Sequence, residues 1–219
     1  MSRNKYPEET VKLILDEALK LFIEKGYDNT SIQDIINNLG GLSKGAIYHH
    51  FKSKEEIFEA VCQKIGEENT VYYDKMRDDK TKNGYEKLKE ILRSTYANPN
   101  NDVVIAMADK IISDPKFLMN QIYESFELVV PYYIEPIIRE GIADGSIHTN
   151  YPKELAGVLI TLLNFWINPM IDKVSSVETQ QKLDFFGVLL KGIGIDILDD
   201  EIIAQYIKYC DRYHQIKQK

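Results

Sequence analysis

Apolar positions recur every three or four residues along nearly all of this 219-residue chain, and period-two alternation is almost absent, so helices are predicted throughout. Val11, Ile14, Leu15, Ala18, Leu21 and Phe22 form a first stripe, with Gly26 as its stop. Thr30 with Gln33 has the spacing of a capping box and opens a second helix through Ile32, Ile35, Ile36 and Leu39, which Gly40-Gly41 ends. Ser43 caps a third, very short helix over about 44–51. Ser53 with Glu56 starts a fourth through Ile57, Phe58, Val61 and Ile65.

Later helices are longer. Stripes run through Tyr85, Leu88, Leu92 and Tyr96, and through Val103, Val104, Met107, Ala108, Ile111 and Ile112. A segment over about 116–143 holds Pro131 and Pro136, which predict a kink or break. Helices follow from Pro152 to about Asn168, over about 180–196 and over about 199–212. The chain is predicted to be all-α. The first 65 or so residues are expected to hold four helices, and the later ones are longer.

Composition fits a folded protein, with 44% hydrophobic and 28% charged residues. The longest apolar stretch, Leu155 to Ile167, is broken by Gly157, Thr161 and Asn164 and falls far short of the roughly 20 residues of a membrane span. No membrane partner is expected. Cys62 and Cys210 form no CxxC pattern and read as free thiols, and the charged N-terminus lacks a signal-peptide core, so a cytoplasmic location is expected. His49 and His50 are helix neighbours about 100° apart and do not converge on one metal. Nucleophile-elbow, zincin, P-loop and Rossmann patterns are absent from the sequence, so no enzyme and no cofactor are expected.

Net charge is −7, so affinity for DNA would have to come from local charge. Between Ile35 and Lys54 there is no acidic residue, while Lys44, Lys52 and Lys54 fall there. Two short helices around a glycine turn match a helix-turn-helix, whose second helix enters the major groove. Ser43, Lys44, Gly45 and Ala46 put one long cation and two very small residues at the start of that helix, which permits close approach to base edges. Tyr48, His49 and His50 carry hydrogen-bonding tips suited to phosphates or bases. Lys54 opens the next helix, where its ammonium suits a phosphate. Ile47 and Phe51 face inward.

At these residues the sequence resembles the TetR family of bacterial transcriptional repressors. Phe22, Gly26 and Tyr27 match its first turn, and Thr30 and Ile35 its threonine-led helix. Ser43, Gly45, Ile47, Tyr48, His50, Phe51, Ser53, Lys54, Glu55 and Glu56 match its third motif. The match covers about a quarter of the chain. Gly40-Gly41-Leu42 is one residue longer than the family's usual turn, Ile36 stands where a small alanine is customary, and Ala46 replaces a common Thr or Ser.

The resemblance implies base contacts at Lys44, Ala46 and His49 and phosphate contacts at Thr30, Tyr48, His50 and Lys54, with Gln33 in reach of either. It further implies a three-helix helix-turn-helix DNA-binding domain over 1–65 and a larger helical ligand-binding and dimerisation domain over 66–219, and a homodimer on a double-stranded palindromic operator, released by a small-molecule effector. Dimerisation would use the helices over 152–168 and 180–196, through Leu155, Leu159, Leu162, Leu183, Phe186 and Leu190, with Gly157, Gly187 and Gly194 permitting close approach. The bland alternative is that these residues are monomer core. An effector pocket among Tyr85, Tyr96, Met107, Met119, Tyr123, Phe126, Tyr133 and Trp166 competes likewise with ordinary packing. The rival functional reading is a helical ligand-binding or adaptor protein without operator binding.

Overall fold

The computed structural model describes residues 7–40, 42–171 and 176–217, and every regular element among them is helical. Helix α1, Pro7–Lys25, ends where Gly26 takes a φ of +79°, a conformation that costs an L side chain energy. Helix α2 spans Ile32–Asn38 and α3 spans Lys44–His50. Helix α4, Lys54–Asp78, runs past residue 65 without interruption. Next come α5, Gly84–Ala97, and two short helices, α6, Asn101–Ala106, and α7, Ala108–Ser113, where the sequence predicts one.

The predicted break near Pro131 takes a specific form. Helix α8, Pro115–Tyr123, widens into a π-helical segment over Glu124–Ile134 before α9, Glu135–Asp144. Pro131 has no N–H to donate and its ring obstructs the carbonyl four residues back, so an α-helical register through it is unfavourable. Helix α10, Pro152–Thr161, likewise passes into a π-helical turn, Leu162–Trp166. Helices α11, Ser176–Gly192, and α12, Asp200–Lys217, complete the chain. Gly194 lies beyond α11 in a left-handed turn with φ +86°, so it is not part of a helix face.

The chain divides into two compact units. The first holds the residues up to Thr70 together with Asp102–Met107. Its core contains Ile14, Ala18 and Phe22 of α1, Ile35 of α2, Ile47 of α3, and Ile57, Phe58 and Val61 of α4, all fully buried.

The second unit holds Val71–Asn101 and the residues from Ala108 onward. Its core joins Leu88, Ile91 and Leu92 of α5 to Ile137 and Ile138 of α9, Leu155 and Leu159 of α10, Leu183, Phe186 and Leu190 of α11, and Ile202 and Tyr206 of α12. Helices α5 and α9 meet with almost no space between them. A Cβ on Gly84 would lie 2.3 Å from the Gly141 backbone nitrogen. Beside this contact, the fully buried Lys87 ammonium donates to Glu140 Oε2 at 2.6 Å and to the Arg77 carbonyl at 2.9 Å. Both partners are required, because a buried cation without them would be strongly destabilising.

Candidate functional site

Ser31, rather than the predicted Thr30, caps α2. Its hydroxyl accepts from the Asp34 N–H at 3.1 Å, and Asp34 Oδ2 accepts from the Ser31 N–H at 2.8 Å, so the capping box is Ser31 with Asp34. The Ser31 hydroxyl, then the Ser31 N–H and Lys25, hold the Asp34 carboxyl down at about 2. Thr30 is only 2% exposed, and its hydroxyl lies 3.3 Å from the Leu21 carbonyl and donates to the Gly26 carbonyl at 2.8 Å. The phosphate contact expected of Thr30 is therefore corrected. Its hydroxyl fastens the end of α1 to the start of α2, and nothing of it is offered outward.

The cap of α3 is the one expected, with the Ala46 N–H donating to Ser43 Oγ at 3.2 Å. Ile47 is fully buried and Phe51 nearly so, which fixes the rotation of the helix. Ser43, Lys44, Gly45, Tyr48 and His49 consequently lie on its exposed side, with Ala46 and His50 half-buried at the flanks. Tyr48 is 42% exposed, and the Lys44 ammonium lies 5.7 Å from its ring centre, so these two share one side of α3 at a separation of one turn. The His49 and His50 rings are 5.3 Å apart. On α2, the exposed Gln33 donates to Asn37 Oδ1 at 2.8 Å. Gly41 of the predicted turn lies outside the described residues.

Lys54 has a function inside the unit that sequence reasoning missed. Its ammonium donates to the Tyr27 carbonyl at 2.8 Å and reaches the Asp28 carbonyl at 3.4 Å. Ser53 caps α4 through the Glu56 N–H at 3.1 Å, but the reciprocal bond goes elsewhere, from the Lys52 N–H to Glu56 Oε2 at 2.7 Å.

In the second unit, the residues expected at a dimer interface are instead its core. Leu155, Leu159, Leu183, Phe186 and Leu190 are buried within one chain, and Leu162 packs against them. Periodicity detects an apolar stripe but cannot say which of two apolar faces turns inward. Outward apolar residues on these helices include Val158, Phe185 and Val188, the last two 56% and 68% exposed.

The expected effector pocket is also corrected. Met107 is buried in the first unit, while Met119, Tyr123 and Phe126 are exposed. Tyr133 packs on the Tyr73 ring, Trp166 on Phe185 and Phe186, and the Tyr85 hydroxyl donates to the Asp196 carbonyl. Tyr96 alone of these candidates lines a cavity of about 110 Å³ inside the second unit. There it meets Tyr73, Tyr206 and Tyr209, three tyrosines that the sequence reading passed over. Tyr206 and Tyr209 stand three apart on α12, which a search for paired aromatics on one helix face would have found.

A capped, acid-free short helix turned outward beside a second short helix is the arrangement of a helix-turn-helix protein. Residues 14–61 match the family model described as bacterial regulatory proteins, tetR family. The chain is 30% identical over 128 residues to the HTH-type transcriptional regulator YerO of Bacillus subtilis, covering 53% of this chain and 41% of YerO. It is 46% identical over 46 residues to the biofilm operon negative transcriptional regulator IcaR of Staphylococcus aureus, covering 21% of this chain and 24% of IcaR. These matches thus span less than half the length of either relative. In fold, a transcriptional regulator from Cytophaga hutchinsonii is similar over 96% of this chain and 98% of that one, with a TM-score of 0.63 at 20% identity. Residues 14–61 thus form the DNA-binding region characteristic of tetR-family bacterial regulatory proteins. Among the described residues, no helix is long and apolar enough to cross a membrane.

Proposed function

We propose that this chain is a cytoplasmic repressor that binds a palindromic operator as a homodimer and releases it when a small molecule occupies the second unit. The observation that carries the DNA-binding part is the outward side of α3, where Lys44, Tyr48 and His49 are exposed together and no acidic residue stands between Ile35 and Lys54. Lys44, Ala46 and His49 face base edges, while Tyr48, His50 and Lys54 face phosphates, and Gln33 reaches the duplex from α2. Repression is supported by the resemblance to IcaR of Staphylococcus aureus, a negative transcriptional regulator.

A second copy covers Phe185 and Val188, three residues apart on α11, and Val158 of α10, apolar groups that the chain's own core leaves to solvent. Pairing is needed because a seven-residue recognition helix reads few bases alone, and two half-sites multiply the discrimination. An operator holds the two recognition helices about one helical turn apart, roughly 34–36 Å, so an effector that favours another separation lowers affinity by population shift.

Fluorescence anisotropy of the full chain on the duplex immediately upstream of its own gene, against a shuffled duplex at two salt concentrations, tests this. Saturable, salt-sensitive binding with preference for the upstream duplex supports the proposal. Equal binding to both, or none, overturns it and favours an adaptor that senses ligand without reading DNA.

A further inference from the structure

The cavity in the second unit is lined by uncharged side chains. Three tyrosine rings form one wall, with Tyr96 edge-on to Tyr206 at 4.9 Å between centres and 5.8 Å from Tyr209. Aliphatic groups, among them Leu88, Ile91 and Leu159, form much of the remainder. Among the described residues, no Asp, Glu, Lys, Arg or His lines it. An ion entering such a space would lose its hydration and find no countercharge, which is strongly unfavourable.

The polar groups present are not equally available. Asn101 donates to the Thr95 and Tyr96 carbonyls, Asn164 to Ser125 Oγ, and Asn168 to the Asn164 carbonyl. The Tyr206 hydroxyl donates to the Ile167 carbonyl. The hydroxyls of Tyr96 and Tyr209 have no hydrogen-bond partner among the described residues, although burial pushes both phenols above their ordinary pKa and so keeps them protonated. Both residues are half-buried and line the cavity, so these two hydroxyls are the ones open to an occupant.

Size narrows the class further. A cavity of about 110 Å³ is a little smaller than the roughly 150 Å³ apolar cavity that admits benzene. It accommodates one small ring, with only slight adjustment of its walls.

We propose that this cavity takes a small uncharged molecule of the phenol class, one ring bearing a hydrogen-bonding group, which Tyr96 and Tyr209 hold through their hydroxyls. The ring lies against the tyrosine wall, and the ligand's polar group exchanges hydrogen bonds with the two hydroxyls. The assignment of this ligand as the effector rests on the repressor reading above, whereas its binding does not. The lining also contains Ile134 of one π-helical segment and Leu163 and Asn164 of the other, and the Asn164–Ser125 bond at 3.3 Å ties the two segments together. Wide π-helical turns are frequent at functional sites, and an occupant here touches both of them.

Calorimetric titration of the full chain with phenol, benzoate and toluene tests the proposal. Phenol is expected to bind one per chain and at least tenfold more tightly than benzoate, its charged counterpart of similar size. The Tyr96→Phe, Tyr209→Phe double variant should lose about tenfold in phenol affinity and keep its affinity for toluene, with thermal melting confirming that it folds. Absence of saturable phenol binding, benzoate binding as tight as phenol, or an unchanged double variant each overturns the proposal. Operator anisotropy with and without saturating phenol separates the two readings. Phenol binding without a change in operator affinity leaves the site standing and removes its effector role. Operator binding without phenol binding removes the site and leaves the repressor standing.

Discussion

The Lys54 ammonium donates to the Tyr27 carbonyl at 2.8 Å and stands 4.1 Å from the centre of the same residue's ring. The Tyr27 hydroxyl in turn donates to Glu55 Oε1 at 3.0 Å, and its ring packs between Phe22 and Phe58. One tyrosine thus fastens the turn after α1 to the first turn of α4, the two supports between which α2 and α3 are held. Lys54→Met keeps the aliphatic stem and removes the charge. It is expected to cost about 1–2 kcal/mol in thermal or urea unfolding, the scale of a charge-assisted hydrogen bond that is partly exposed. It should also lower the slope of log affinity against log salt by about one if the remaining N–H meets a phosphate. An unchanged slope beside lost stability would assign Lys54 to the scaffold alone.

Lys44 and Tyr48 share one side of α3 but are expected to fail differently. Lys44→Ala should change which operator is preferred, with a loss of about 1–3 kcal/mol confined to the preferred duplex. Tyr48→Phe removes the hydroxyl proposed to meet a phosphate and should weaken binding to all duplexes by a similar factor. Anisotropy on a panel of single-base operator variants distinguishes these. Uniform weakening by Lys44→Ala would remove its base-reading role.

Asp34 carries a pH prediction. Its carboxyl is held at about 2, below the ordinary 3.8, first by the Ser31 hydroxyl. A depressed folded-state pKa means that the cap's stabilisation is complete above about pH 4 and is lost as pH falls through that value toward 2. Ser31→Ala retains the backbone N–H but not the hydroxyl, so the Asp34 titration midpoint should rise toward 3.8. A carboxylate carbon chemical-shift titration measures it directly, and no movement would place the cause elsewhere.

Gly84→Ala places a methyl group 2.3 Å from backbone, not from a side chain that can swing aside. Helices α5 and α9 must separate, and the Asp144 carboxylate loses its bond from the Gly84 N–H at 2.9 Å. A loss of about 3 kcal/mol is expected in thermal unfolding, at the upper end for overpacking. At Gly26, with nothing near its missing Cβ, Ala should cost only the backbone strain of about 1–2 kcal/mol.

Phe185→Glu tests the proposed pairing face. The side chain is 56% exposed in the single chain, so protomer folding should be nearly unaffected. Sedimentation velocity should show dissociation to single chains, and operator affinity should fall by at least about tenfold as the two half-sites cease to be bound jointly. A variant that remains dimeric would move the interface to another face.

Much of this protein was legible in the chain itself, because helical periodicity and caps are local properties. Gly26 as the stop of α1, Ser43 as the cap of α3, and the inward Ile47 and Phe51 follow from short-range geometry and one buried face. The acid-free span around α3 is likewise a property of order along the chain, and it marks the DNA-facing candidate without coordinates. Even locally, two adjacent hydroxyl residues competed for one cap. Ser31 took it because Asp34 stands at the reciprocating position, while the Thr30 hydroxyl turned back to the Gly26 carbonyl.

What needed the tertiary structure was every choice between two equivalent apolar faces and every contact between distant elements. Phe185 and Phe186 are neighbours of the same type, yet one is core and the other faces solvent, since only the packing of α10 and α12 determines which side of α11 turns inward. The cavity is of the same kind. Tyr96 and Tyr209 are more than a hundred residues apart, and their shared wall exists only once α5 and α12 lie together. Periodicity reports that a face is apolar, and the assembled fold decides what that face meets.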